Sequence, residues 1–143
     1  MSGTDDRSRF VRMQVGADAL SAARTRVEFR NWLDRHFALG AERYNDVLLA
    51  VNEAIANAAE FAYEDAPQRG TLDVTANYSD ASDTLAVTIN DRGRWRQKAS
   101  MQFQPQLRGR GIPLMQTLAD EVTIDRTSQG TRVTVTWTGL TRP

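Results

Sequence analysis

The chain has no cysteine. That excludes disulfides, thiolate metal sites and a cysteine nucleophile, and it suits a reducing compartment. Histidine is nearly absent as well: His36 is the only one, and nothing spaced to it supplies the partner that histidine acid–base chemistry needs. It reads as a surface or helix-end residue. Net charge is missing too, since 18 Lys and Arg balance 18 Asp and Glu. No overall field draws the chain to nucleic acid or an anionic membrane, so a nucleic-acid role would need a local basic patch. Nowhere does an apolar run approach the roughly 18 residues of a membrane span, and the opening MSGTDDRSRF is polar, with no apolar core behind it. A soluble cytoplasmic protein is the expectation.

What is present is the composition of one globular domain: 143 residues, 41% hydrophobic and 25% charged. The expected division is a flexible segment at 1–8, a single domain at 9–139 and a tail at 140–143.

The stretch RFVRMQV (9–15) alternates in the manner of a half-buried strand. From 17 to 36, Leu20, Ala23, Val27, Trp32 and Leu33 recur at roughly helical spacing among arginines, with Asp18 as an N-cap. After a glycine, Val47, Val51, Ile55, Ala58 and Ala62 form the stripe of a second helix ending near Tyr63. TLDVTANY and TLAVTIND, separated by the polar SDASD, read as neighbouring antiparallel strands. A long segment without a clear period follows, rich in arginine and ending in two glycines, then a helical pattern in IPLMQTLADEV. TIDRT and TRVTVTW close the chain as a hairpin around SQG. This order predicts an α+β two-layer sandwich, with a mixed, mostly antiparallel sheet carrying its helices on one face.

Within the second helix, AVNEAIANAAEFAY places Glu53 and Asn57 four residues apart and so on one face. Such a pair either meets solvent or lines a cleft; there it offers hard oxygen atoms suited to Mg²⁺ and a carboxylate able to polarise a hydroxyl. Asp91 and Gly93 follow a strand, as an ordinary turn would, or as an acceptor for a base amino group beside a backbone that a ring can approach. Gly109 and Gly111 stand just before a helix, where backbone N–H groups bind phosphate. From Arg92 to Arg110 every charged side chain is basic, the composition of a phosphate-facing lid, a solvated loop or a nucleic-acid patch in which Trp95 and Phe103 stack on bases.

Taken together, these residues resemble the GHKL (Bergerat-fold) ATPases, and within them the small anti-sigma-factor serine/threonine kinases. The resemblance covers nearly the whole chain. NEAIAN matches the family's N-box, Asp91 and Gly93 its D-x-G box, Gly109 and Gly111 its G-x-G box, and Gly130 with Thr131 the Gly-Thr of its last hairpin. It implies that Glu53 is the base activating a partner's hydroxyl and that Asn57 holds Mg²⁺ bridging the phosphates of ATP. It further implies that Asp91 binds the adenine amino group with Thr131 in support. Gly109 and Gly111 then cradle the phosphates, while Arg108 or Arg110 neutralises charge on the transferred group.

The partners implied are a sigma factor, an anti-anti-sigma protein of the STAS type and a second copy of the chain, with no direct role for nucleic acid or membrane. Two positions depart from the pattern. Trp95 replaces the second glycine of D-x-G-x-G, and Phe61 stands where many of these kinases carry histidine. An alternative is therefore a degenerate ATPase fold that sequesters partners without catalysis.

Overall fold

The computed structural model describes residues 6–16, 18–64, 70–91, 114–127 and 130–141, with 60–64 and 127 described by backbone alone. The elements are β1 (Arg9–Gly16), α1 (Ala19–His36), α2 (Ala41–Glu64), β2 (Thr71–Ser79), β3 (Thr84–Asp91), β4 (Glu121–Thr127) and β5 (Gly130–Thr138). A helical segment at 114–118 precedes β4.

The five strands form one sheet in the order β1-β2-β3-β5-β4. Every pairing among the described strands is antiparallel, so the mixed sheet expected from the sequence has no parallel pair here. The α+β sandwich stands. Alternation sorts each strand into two faces: Leu85, Val87, Ile89 and Asp91 of β3 are buried on one, and Ala86, Thr88 and Asn90 are only half-buried on the other. Helices α1 and α2 cover the first face, where Phe10, Leu33, Val47, Val51, Ile55, Val74, Val87, Val135 and Trp137 make the core.

Asp18 caps α1, its carboxylate accepting from the Ser21 N–H at 2.8 Å. The buried face of that helix differs from the stripe read in the sequence. Ala22, Thr25, Phe29, Trp32 and Leu33 are inside, whereas Leu20 is 69% and Val27 44% exposed. Aromatic area decides the rotation, because Phe29 meets Phe10 edge to face and Trp32 packs tilted against it, at ring-centroid distances of 5.6 and 5.7 Å, and both bury more surface than Leu20 and Val27.

Of the stripe read on α2, Val47, Val51 and Ile55 are fully buried and Ala58 is half-buried, while Ala62 is described by backbone alone. The last helical pattern is shorter than expected: Glu121 and Val122 belong to β4, where they pair with Thr136 and Val135. Packing also extends beyond 9–139 at both ends. The Asp6 carbonyl accepts from the Trp32 indole at 2.7 Å, and Leu140 is buried in the core.

Candidate functional site

Two of the box residues meet through strand register. Asp91 ends β3 and Thr131 begins β5, and the two are direct partners across the sheet. Both are on the helix-covered face, Asp91 2% and Thr131 8% exposed. Leu72 lies on the other side of Asp91. Gly130, next to Thr131, is buried and takes φ 152°, backbone that an L side chain rarely adopts.

Glu53 and Asn57 are half-buried on α2, and contacts at the N-terminal end of that helix fix which way they face. Tyr44 is close enough to Asp34 on α1 for that carboxylate to raise its ionisation, whereas Arg43 lies 3.9 Å from Asp120, just after the 114–118 segment. Positions 43, 46, 50, 53 and 57 follow the three-and-four spacing of a single helix flank. Glu53 and Asn57 therefore share the flank of Arg43, turned away from α1 and toward the β5 side.

Their level along the sheet follows from lengths. Asp120 accepts from the Thr138 N–H, so Arg43 marks the far end of β5. Fourteen helical residues from Arg43 to Asn57 span about 21 Å, and seven strand residues from Thr138 back to Thr131 span about 23 Å. Asn57 comes level with Thr131 and Asp91, with Glu53 one turn behind. The residue before Glu53 is on the other flank, toward α1, where the Asn52 Oδ1 is buried and makes no hydrogen bond among the described residues.

Four of the nine predicted site residues, Glu53, Asn57, Asp91 and Thr131, are thus brought to one end of the molecule. The other five, Gly93, Arg108, Gly109, Arg110 and Gly111, lie outside the described residues, as does Trp95; Phe61 is described by backbone alone. Among the described residues no group of three or more His, Cys, Asp or Glu is placed to hold a metal. A cavity of about 550 Å³ opens at the opposite end, between Gly40, Arg43 and Asp46 on one side and Leu140 on the other. None of the predicted site residues lines it.

The donor set fits a nucleotide with its cation. Asp91 brings a carboxylate and Thr131 a hydroxyl to this end of the sheet, both of them acceptors that suit a base amino group. Asn57 presents an amide oxygen from the wall, the hard ligand that Mg²⁺ takes alongside phosphate.

A two-layer sandwich with a polar cluster at one end of its central strands, under a long helix that carries an acid and an amide, is the architecture of a nucleotide-binding ATPase domain. Residues 15–137 match the model of the histidine kinase-like ATPase domain, and the chain belongs to that family. Its fold is similar to the RsbU and RsbW domains of Rv1364c from Mycobacterium tuberculosis. That match has a TM-score of 0.68 and 22% identity, covering 90% of this chain and 32% of the other. It is also similar to the histidine kinase domain of the Erythrobacter litoralis EL346 blue-light activated histidine kinase. Here the TM-score is 0.55 and the identity 20%, covering 82% of this chain and 59% of that one. The chain therefore spans about a third of the first relative and somewhat over half of the second. No helix among the described residues is long and apolar enough to cross a membrane.

One further residue at this end escaped the sequence reading. Arg126 on β4 is the partner of Thr131, a placement that only strand register shows.

Proposed function

We propose that the chain is an ATP-dependent serine/threonine protein kinase and anti-sigma factor, acting in the cytoplasm. It holds a sigma factor and phosphorylates an anti-anti-sigma protein of the STAS type, so that the phosphorylation state of the one decides the release of the other. The observation that carries the reading is the register of Asp91 with Thr131 at the buried end of β3, level with the Glu53–Asn57 flank of α2. Likeness in fold to a protein that contains an RsbW domain supports the choice of partners.

Phosphoryl transfer asks for positioning and charge compensation more than for covalent chemistry. In this reading Asp91, backed by Thr131, orients the base of ATP. Asn57 supplies one oxygen to Mg²⁺, which when bound neutralises phosphate charge. Glu53, one turn away, accepts the proton of the attacking serine or threonine hydroxyl. Gly109 and Gly111 hold the phosphates, Gly93 lets the base approach, and Arg108 or Arg110 offsets the developing charge. A homodimer completes the proposal.

Calorimetric titration with ATP, with and without Mg²⁺, tests the reading in wild type and in folded Asn57→Ala and Asp91→Ala variants. Mg²⁺-dependent binding lost in both variants supports it. A well-folded wild type that binds no nucleotide rejects the kinase and leaves a partner-binding module.

A further inference from the structure

Arg126 is an exposed arginine on an edge strand, but it stands on the helix-covered face of the sheet. On β4, Glu121, Thr123 and Asp125 occupy one face, and Val122, Ile124 and Arg126 the other. Val122 and Ile124 pair with Val135 and Val133, which places that second set on the helix-covered face. A charge that merely protects an open edge from pairing serves from either face, and Asp125 already stands next to it on the outer one. Arg126 instead continues an apolar column up to the Asp91 end of the sheet. Leu72, Asp91, Thr131 and Arg126 form one row across four adjacent strands. Neighbouring strands are about 4.8 Å apart, so Arg126 is one strand from Thr131 and roughly 10 Å, two strands, from Asp91. Its side chain is exposed and makes no hydrogen bond or ion pair among the described residues.

We propose that Arg126 is a nucleotide-contacting residue whose guanidinium lies against the face of the purine ring that Asp91 holds by its amino group. The inference rests on the nucleotide reading of the Asp91–Thr131 end and extends it by one residue. A planar, weakly hydrated guanidinium suits that place, since it stacks on an aromatic face and is attracted to the ring at the same time. Lysine carries the charge without the plane. Arg126 thereby closes the β4 side of the base pocket and favours a purine over a smaller pyrimidine ring.

Calorimetry with two probes, adenosine and MgATP, tests this in wild type, Arg126→Gln and Arg126→Lys, each checked by circular dichroism and thermal melting. Expected is a loss of affinity on the order of 5- to 10-fold for both probes in both variants, because the lost contact is with the base that the probes share. Arg126→Gln binding both probes like wild type overturns the proposal. So does a loss confined to MgATP, which means a phosphate contact, or full retention by Arg126→Lys, which means that charge alone matters. If folded wild type binds neither probe, the nucleotide reading itself fails, an outcome distinct from a silent Arg126 in a protein that binds.

Discussion

Asp91 and Thr131 face each other across β3 and β5 on the buried side of the sheet, and the consequences for ligand binding differ between them. Carboxylate hydrogen bonds are worth about 1.5–3 kcal/mol and neutral ones about 1 kcal/mol. Asp91→Asn keeps the shape of the side chain but reverses part of its hydrogen-bonding sense. It is expected to weaken ATP at least about tenfold, while Thr131→Val weakens it about fivefold. Calorimetry on both variants, with melting curves to confirm folding, checks the order. Equal affinity in wild type and Asp91→Asn rejects Asp91 as the base-binding residue.

Glu53 and Asn57 share a flank of α2 but are expected to fail in different ways. Glu53→Gln leaves nucleotide affinity close to wild type and slows transfer of phosphate to a protein hydroxyl by about 10²–10⁴-fold, the usual size of a general-base contribution. Asn57→Ala removes the Mg²⁺ dependence of binding itself. Transfer of labelled γ-phosphate, measured beside binding, separates the two. A Glu53→Gln enzyme with undiminished turnover removes Glu53 from the chemistry.

The bulge in β1 permits a test of stability away from the site. Register shifts between Arg12 and Val15, and Gln14 sits at φ 56° with its N–H donating to the Asp73 carboxylate at 2.9 Å. A side chain in left-handed backbone costs about 1–2 kcal/mol, and the buried Asp73 holds the chain there. Asp73→Ala is expected to lower unfolding free energy by about 1–3 kcal/mol. Gln14→Gly, which relieves the strain, should be neutral or stabilising by up to about 1 kcal/mol. Urea denaturation of both variants decides the matter, and a clearly destabilised Gln14→Gly contradicts the strain argument.

Periodicity alone carried the long α2 helix, the two hairpins and the α+β layering, because each rests on local repeats of apolar residues. It misassigned the inner face of α1. Leu20 and Val27 stand seven apart, as residues of one helix face do, yet Phe29 and Trp32 rotate the helix onto Phe10. A ring cluster formed by residues distant in sequence leaves no trace in a helical window. Register is non-local in the same way. Glu53 and Asn57 were legible as one face of one helix, but the row joining Asp91, Thr131 and Arg126 depends on pairing three strands. The spacing of Arg126 from Asp91 along the chain says nothing of it.

Tyr78 and Asp83 give the fold a pH dependence at its other pole. The Tyr78 hydroxyl donates to the Asp83 carboxylate at 2.6 Å, while Asp83, at φ 53°, also accepts from the Thr141 N–H and hydroxyl. The hydrogen bond first, then burial and the negative charge of Asp83, push Tyr78 ionisation above its ordinary value near 10. Because only the folded state favours the protonated phenol, this stabilisation is fully present below about pH 10 and disappears as pH rises through the raised value. Stability should therefore fall in the alkaline range, and Tyr78→Phe should be less stable near neutrality by about 1 kcal/mol and less steep above pH 10. Tyr44, raised by the neighbouring Asp34, keeps part of the slope in that variant, so the diagnostic quantity is the difference between the two unfolding curves across pH 8 to 12. A constant difference over that range means that the Tyr78–Asp83 bond is not linked to folding.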